Sequence, residues 1–169
     1  DSHADYYDAW SKTYDDQFAI KHSYIYPEKI AQVFFTESNS DDSPILDLGC
    51  GTGLVGQSLI THDLIVDGLD ISPGMLLEAK KKNVYRNLLC RNLSDWSDDL
   101  LGTYGALTSA GTFTLGHLGC RELFISLSYC RTGALCVIGI NKAHYELKGF
   151  AKFFKQLSDN KVIKIIKYN

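Results

Sequence analysis

The sequence predicts an α/β domain, a doubly wound and mainly parallel sheet with helices on both faces. Short apolar runs alternate with helical stretches from Pro44 onward, the pattern of strand–helix–strand units. The first run, Ile45-Leu46-Asp47-Leu48, passes straight into three glycines at every second position, Gly49, Gly51 and Gly53. The second run closes on Asp70, 17 residues beyond Gly53. Sheets of this kind bind ligands beyond the carboxyl ends of their strands, where the strand order reverses.

Each element has its own signal. Ahead of the sheet, DSHADYYDAWSKTYDDQF places Tyr6, Tyr7, Trp10 and Tyr14 at helical spacing, and the first three read as packing residues. A second helix opens at Pro27 and shows Ile30, Val33 and Phe34 on one side, before the polar loop ESNSDDSP. PILDLG is a buried strand, and the stretch 52–61 has helical periodicity through Leu54, Val55, Leu59 and Ile60. LIVDGLD is the second strand, and SPGMLLEAKKKN a helix with Ser72 as its cap and Pro73 at its first position. The lysines 80–82 at its end suit the helix dipole and read as a solvated terminus. NLLCRN and GALTSAG are the third and fourth strands, CRELFISLSYC a helix and GALCVIGIN the fifth strand. HYELKGFAKFFKQLSDN is expected as one helix with Leu147, Phe150, Phe154 and Leu157 on one face, and KVIKIIKY as a sixth strand.

Composition bounds the function. A chain of 169 residues favours one domain, with residues 1–40 as a helical cap and 44–169 as the sheet core. A formal net charge of -3 argues against a surface built to grip nucleic acid phosphates. No apolar run approaches the ~20 residues of a membrane span, and no signal-peptide pattern opens the chain. The five cysteines lack metal-ligand spacing and read as reduced, mostly buried thiols of a cytoplasmic protein. Opening on Asp1 without a methionine, the chain reads as a fragment or a processed form.

The glycines imply a nucleotide-like ligand, and their spacing narrows it. The dinucleotide fingerprint G-x-G-x-x-G/A fails from Gly49, because Leu54 takes the third place, but a shifted match through Gly51, Gly53 and Gly56 stays open. A phosphate-binding P-loop needs a lysine, and none lies between Cys50 and Ala79.

The stretch Asp47-Leu48-Gly49-Cys50-Gly51-Thr52-Gly53 resembles the first motif of class I S-adenosylmethionine-dependent methyltransferases. Asp70 stands where these enzymes place the acid that binds both ribose hydroxyls. A dinucleotide-binding protein uses its acid in the same way, so the glycine spacing, not Asp70, separates the two. With YYDAWSKTYDDQF, SAGTFTLGHLG and VIGINKAHYELKGF added, nearly the whole chain is similar to the Williams–Beuren syndrome region methyltransferase-like proteins.

The resemblance implies a Rossmann-like class I methyltransferase fold, with S-adenosylmethionine as cofactor and methyl transfer as the activity. It implies that Asp47, Gly49, Gly51 and Gly53 meet the methionine portion, with Tyr14 closing over it. Asp70 would hold the ribose, Ile71 and Met75 would flank the adenine, and Asn92 and Leu93 would meet its edge. Ser109 and Gly111 would line the floor near the sulfonium. Asn92 stands where the family carries an acid, and Tyr104-Gly105 where it has Tyr-Asp, a change read as structural. The family's seventh strand has no residues left to form it after the expected sixth.

The acceptor is expected to be a small molecule over the ends of the fourth and fifth strands. His117, Asn141 and Tyr145 are the candidates to recognise it, and His117 and His144 the candidate general bases. His3, His22 and His62 read as surface residues. A nicotinamide-dependent oxidoreductase and a non-catalytic S-adenosylmethionine-binding protein are the competing readings, and neither the acceptor nor the oligomeric state follows from the sequence.

Overall fold

Five strands pair in the order β3-β2-β1-β4-β5, and every pairing is parallel. They are β1 (Ile45–Leu48), β2 (Val66–Asp70), β3 (Asn87–Cys90), β4 (Tyr104–Phe113) and β5 (Cys130–Ile140). The helices are α1 (Tyr26–Glu37), α2 (Leu54–Leu59), α3 (Pro73–Lys82), α4 (Cys120–Ser128), α5 (Lys142–Leu147) and α6 (Phe150–Asp159). The computed structural model describes Ser11 and residues 25–60 and 64–166. The expectations placed on His3, Tyr6, Tyr7, Trp10, Tyr14, His22 and His62 lie outside those residues.

Strand side chains alternate between the faces, and β1 sorts the core accordingly. Ile45 joins Ile30 and Phe34 of α1, Val55 and Leu59 of α2, and Val66 on one face. Leu46 and Leu48 join Leu107, Ile125 of α4 and Tyr129 on the other. Phe113, Leu123 and Phe150 seat α6 in a third cluster. Each such side chain contributes about 1.5–3 kcal/mol relative to exposure, so removing Phe34 or Leu46 would unseat a layer. The order reverses at β1, which pairs with β2 on one side and β4 on the other. The doubly wound expectation therefore holds, and the switch point lies at the carboxyl end of β1.

Local chemistry shapes the elements as the sequence implied in several places. The Ser72 hydroxyl accepts from Met75 N–H at 3.0 Å and caps α3. Gly105 has a packing reason: a Cβ there would meet the Asp41 carbonyl oxygen at 2.6 Å. Its neighbour Tyr104 donates to Asp67 Oδ2 at 3.0 Å, beside a two-pronged Arg86–Asp67 ion pair. Burial alone would raise the Asp67 carboxyl, but Arg86 and Tyr104 outweigh it and hold the group below the usual carboxylate range.

Three expectations are corrected. The helix expected over residues 144–160 is two helices, because Gly149 adopts φ 70 between them. That break turns Leu147 to solvent at 72% exposure, while Phe150 and Leu157 stay buried. Residues 161–166 form no strand. Their first amides close the end of α6, with Lys161 N–H donating to Ser158 O and Val162 N–H to Leu157 O, so they cannot enter a ladder. The five cysteines are free thiols, but Cys50 alone is buried.

Candidate functional site

The turn after β1 needs its glycines. Gly49, Gly51 and Gly53 have φ values of 61, 52 and 92, the left-handed region in which a Cβ is strained. At Gly49 a Cβ would also overlap the Thr112 side chain. This turn, the ends of β2 and β3, and residues 110–112 and 116–122 surround a cavity of about 600 Å³, within the size range of small-ligand sites.

Most of the expected cofactor residues meet there. Gly49, Gly51, Asp70, Ile71, Met75, Asn92, Leu93 and Gly111 line the cavity, and so does His117 from the opposite wall. Asp70 is fixed by the backbone, with Gly51 N–H donating to Oδ2 at 2.8 Å and Ser72 N–H to Oδ1 at 2.9 Å. Asn92 Oδ1 accepts from Ser94 N–H at 2.9 Å, which shapes the turn after β3. Met75 and Leu93 are buried and offer apolar surface to the cavity.

Asp47, Gly53 and Ser109 sit behind the wall rather than in it. Asp47 is 1% exposed and accepts from the Tyr85 hydroxyl at 2.7 Å and from Thr108 Oγ1 at 3.2 Å. Burial pushes its carboxyl up to about 7; the Tyr85 and Thr108 hydrogen bonds oppose the shift and the charge of Asp70 adds to it. Gly53 caps α2 and packs under Tyr85 and Ala79. The Ser109 hydroxyl is buried and donates to Leu48 O at 3.0 Å, so it joins β4 to β1.

On the acceptor side the structure places three of the expected residues away from the cavity. His144 is fully buried, packs against Phe150, and has Nε2 2.7 Å from Leu118 O. A carbonyl can only accept, so that nitrogen carries the proton and is not available as a base. Asn141 caps α5 by accepting from His144 N–H at 3.2 Å. Tyr145 stacks on Phe150 and Phe154. None of the three lines the cavity.

Sequence reasoning missed the residues that support the site from a distance. Tyr85 lies beneath the glycine turn, receiving Gly56 N–H at 3.2 Å while it donates to Asp47. A Cβ at Gly53 or Gly56 would press first on its ring, and one at Gly68 would meet Cys50 and Leu88 as well as the ring. Burial and the neighbouring Asp47 charge push the Tyr85 hydroxyl well up, so it remains a donor. Thr112 donates to Leu48 O at 2.8 Å. Lys82 is more than a solvated helix end, because its ammonium donates to Thr52 O at 2.8 Å. Three glycines around one tyrosine was the available signal, but only the fold brings them together.

Comparison with known proteins bears on this geometry directly. Residues 45–128, which include the glycine turn, Asp70 and the walls from β3 to α4, match a family described as a methyltransferase domain. That stretch is a methyltransferase domain. Solved structures agree on the fold. A TehB-like S-adenosylmethionine-dependent methyltransferase from Corynebacterium glutamicum superposes with a TM-score of 0.69 at 23% identity, over 88% of this chain and 83% of that one. Magnesium protoporphyrin IX methyltransferase from Synechocystis with bound S-adenosylmethionine gives 0.58 at 18% identity, over 76% and 70%. The complex of DhpI with S-adenosylhomocysteine gives 0.58 at 21% identity, over 79% and 65%. No curated protein matches the sequence. Among the described residues this methyltransferase has no group of side chains able to hold a metal ion. None of its described helices is long and apolar enough to cross a membrane.

Proposed function

We propose that this methyltransferase transfers a methyl group to a nucleophile on a small molecule, and that it is of the Williams–Beuren region methyltransferase-like kind. One observation carries the reading: the glycine turn and Asp70 form one wall of a cavity whose other wall is the 110–122 segment. The residues fit the cofactor. Gly49 and Gly51 offer backbone without side chains, Asp70 a carboxylate, and Ile71, Met75 and Leu93 an apolar slot. When bound, S-adenosylmethionine supplies an activated methyl group on a sulfonium.

The chain's part is placement. Gly49 and Gly51 would hold the methionine end, Asp70 the ribose hydroxyls, Ile71 and Met75 the adenine faces, and Asn92 and Leu93 its edge. Gly111 and Thr112 would border the reacting centre, with His117 facing it from the far wall. Asp47 and Ser109 act from behind, the first by fixing Tyr85 and the second by fixing β4 to β1. Orienting two reactants can lower a barrier by ~7–11 kcal/mol, so a base is needed only where the acceptor must lose a proton, and His117 is then the residue in place.

Calorimetry tests the reading. S-adenosylmethionine and S-adenosylhomocysteine should bind while nicotinamide dinucleotides do not. Dinucleotide binding without an adenosylhomocysteine signal would overturn it.

A further inference from the structure

We infer that the acceptor is an anion, carrying a carboxylate or phosphate-type oxyanion that Arg121 and Lys148 grip at the outer end of the cavity. The inference rests on the proposed methyl transfer and adds the chemical class of the acceptor.

Besides Asp70, the cavity is lined by four charged residues: Arg91 at the end of β3, and Arg121, Glu122 and Lys148 around the start of α4. Two of these four are already committed. Arg91 is paired with Asp99 through two bonds of 2.7 and 2.8 Å. Glu122 Oε2 accepts from Gly119 N–H at 2.9 Å and closes the start of α4. Arg121 uses only Nη1, which donates to Ser94 O at 3.1 Å and, in a longer contact, to Glu122 Oε1 at 3.2 Å. Its Nε and Nη2 hydrogens have no partner among the described residues. The Lys148 ammonium has no ion pair there either, and its stem lies along Gly119, with Cδ 3.9 Å from where a Cβ of that glycine would be.

Arg121 shares its charge with Glu122 at 3.2 Å, and Lys148 has no ion pair among the described residues, so this corner is locally positive in a chain whose net charge is -3. Such a local field concentrates anions at the cavity mouth. A guanidinium with adjacent free N–H groups suits an oxyanion, which it can meet with two parallel bonds. A cationic acceptor would meet repulsion both from this rim and from the sulfonium donor.

The test uses the protein saturated with S-adenosylhomocysteine and four probes of one size: phenylacetate, phenyl phosphate, phenylacetamide and phenethylamine. At least one of the two anions should bind about tenfold or more tightly than the amide and the amine, the scale of a charged hydrogen bond. Which anion leads identifies the oxyanion. Arg121→Gln with Lys148→Gln should abolish that preference and Arg121→Lys keep part of it, with adenosylhomocysteine affinity unchanged in both variants. Equal binding of amide or amine, no measurable binding of either anion, or a preference that survives the double substitution would overturn the inference. Failure of adenosylhomocysteine to bind the parent protein would instead overturn the methyl-transfer reading beneath it.

Discussion

The two ends of the cavity are built differently. At the cofactor end, strand ends and a glycine turn are locked from behind by buried polar groups, with Asp47, Tyr85 and Thr108 forming one chain of hydrogen bonds. At the acceptor end, the lining is the 116–122 loop with the start of α4, and Arg121 and Lys148 on it are exposed. A buried polar chain tolerates no missing partner, because each unsatisfied group loses its compensation for leaving water. Exposed charges tolerate change freely. The end proposed for the cofactor is thus fixed by the fold, and the end proposed for the acceptor can vary without disturbing it.

Substitutions can break or sharpen that contrast. The largest effect should come from Gly49→Ala, which places a Cβ at φ 61 and against Thr112. It should lower unfolding free energy by about 3 kcal/mol in urea titrations, from backbone strain and overpacking together. An unchanged midpoint would mean that the turn is soft and the contrast is false.

Asp70→Ala comes next, weakening adenosylhomocysteine by about 1.5–3 kcal/mol in calorimetry. Unchanged affinity in a folded variant would leave Asp70 only its bonds to Gly51 and Ser72.

Tyr85→Phe should reduce stability by about 1–2 kcal/mol, with a pH dependence that marks its partner. The folded-state pKa of Asp47 is raised to about 7, so the protonated form favours the fold. Its contribution is complete below about pH 4 and is lost as pH rises through about 7. The Tyr85 hydrogen bond supports the ionised form, so the loss should be greater at about pH 8 than at about pH 5. Equal losses at both would uncouple the two residues.

Asn141→Ala should have the smallest effect, about 1 kcal/mol for a helix cap. Adenosylhomocysteine affinity and acceptor turnover should stay near the parent's. A fall in turnover at unchanged stability would bring Asn141 back to the acceptor.

What could be read from the sequence follows the same division. β1, β2 and the glycine turn announce themselves locally, because apolar runs and alternating glycines are consecutive in the chain. Ser72 and Pro73 likewise mark the start of α3 from neighbouring residues. Tyr85 does not, since its partners Asp47 and Gly56 lie 38 and 29 residues away. Residues 161–168 have the apolar alternation of a strand, yet the hydrogen bonds at the end of α6 claim the first of them. His144 and Tyr145 follow β5 at the ligand end of the sheet, but one turn of helix rotates both into the packing around Phe150. Periodicity specifies a face, and only the fold says what that face meets.

The Leu48 carbonyl has a consequence for any ligand that reaches the switch point. A carbonyl oxygen offers two lone pairs, and here the hydroxyls of Ser109 and Thr112 both donate to it, at 3.0 and 2.8 Å. That oxygen lies behind the cavity lining and is saturated by the protein itself, so a ligand at the switch point meets the glycine turn and Thr112 instead. The two hydroxyls thus rivet β4 and the Thr112 wall to the end of β1, and the two sides of the crevice are held at a fixed spacing.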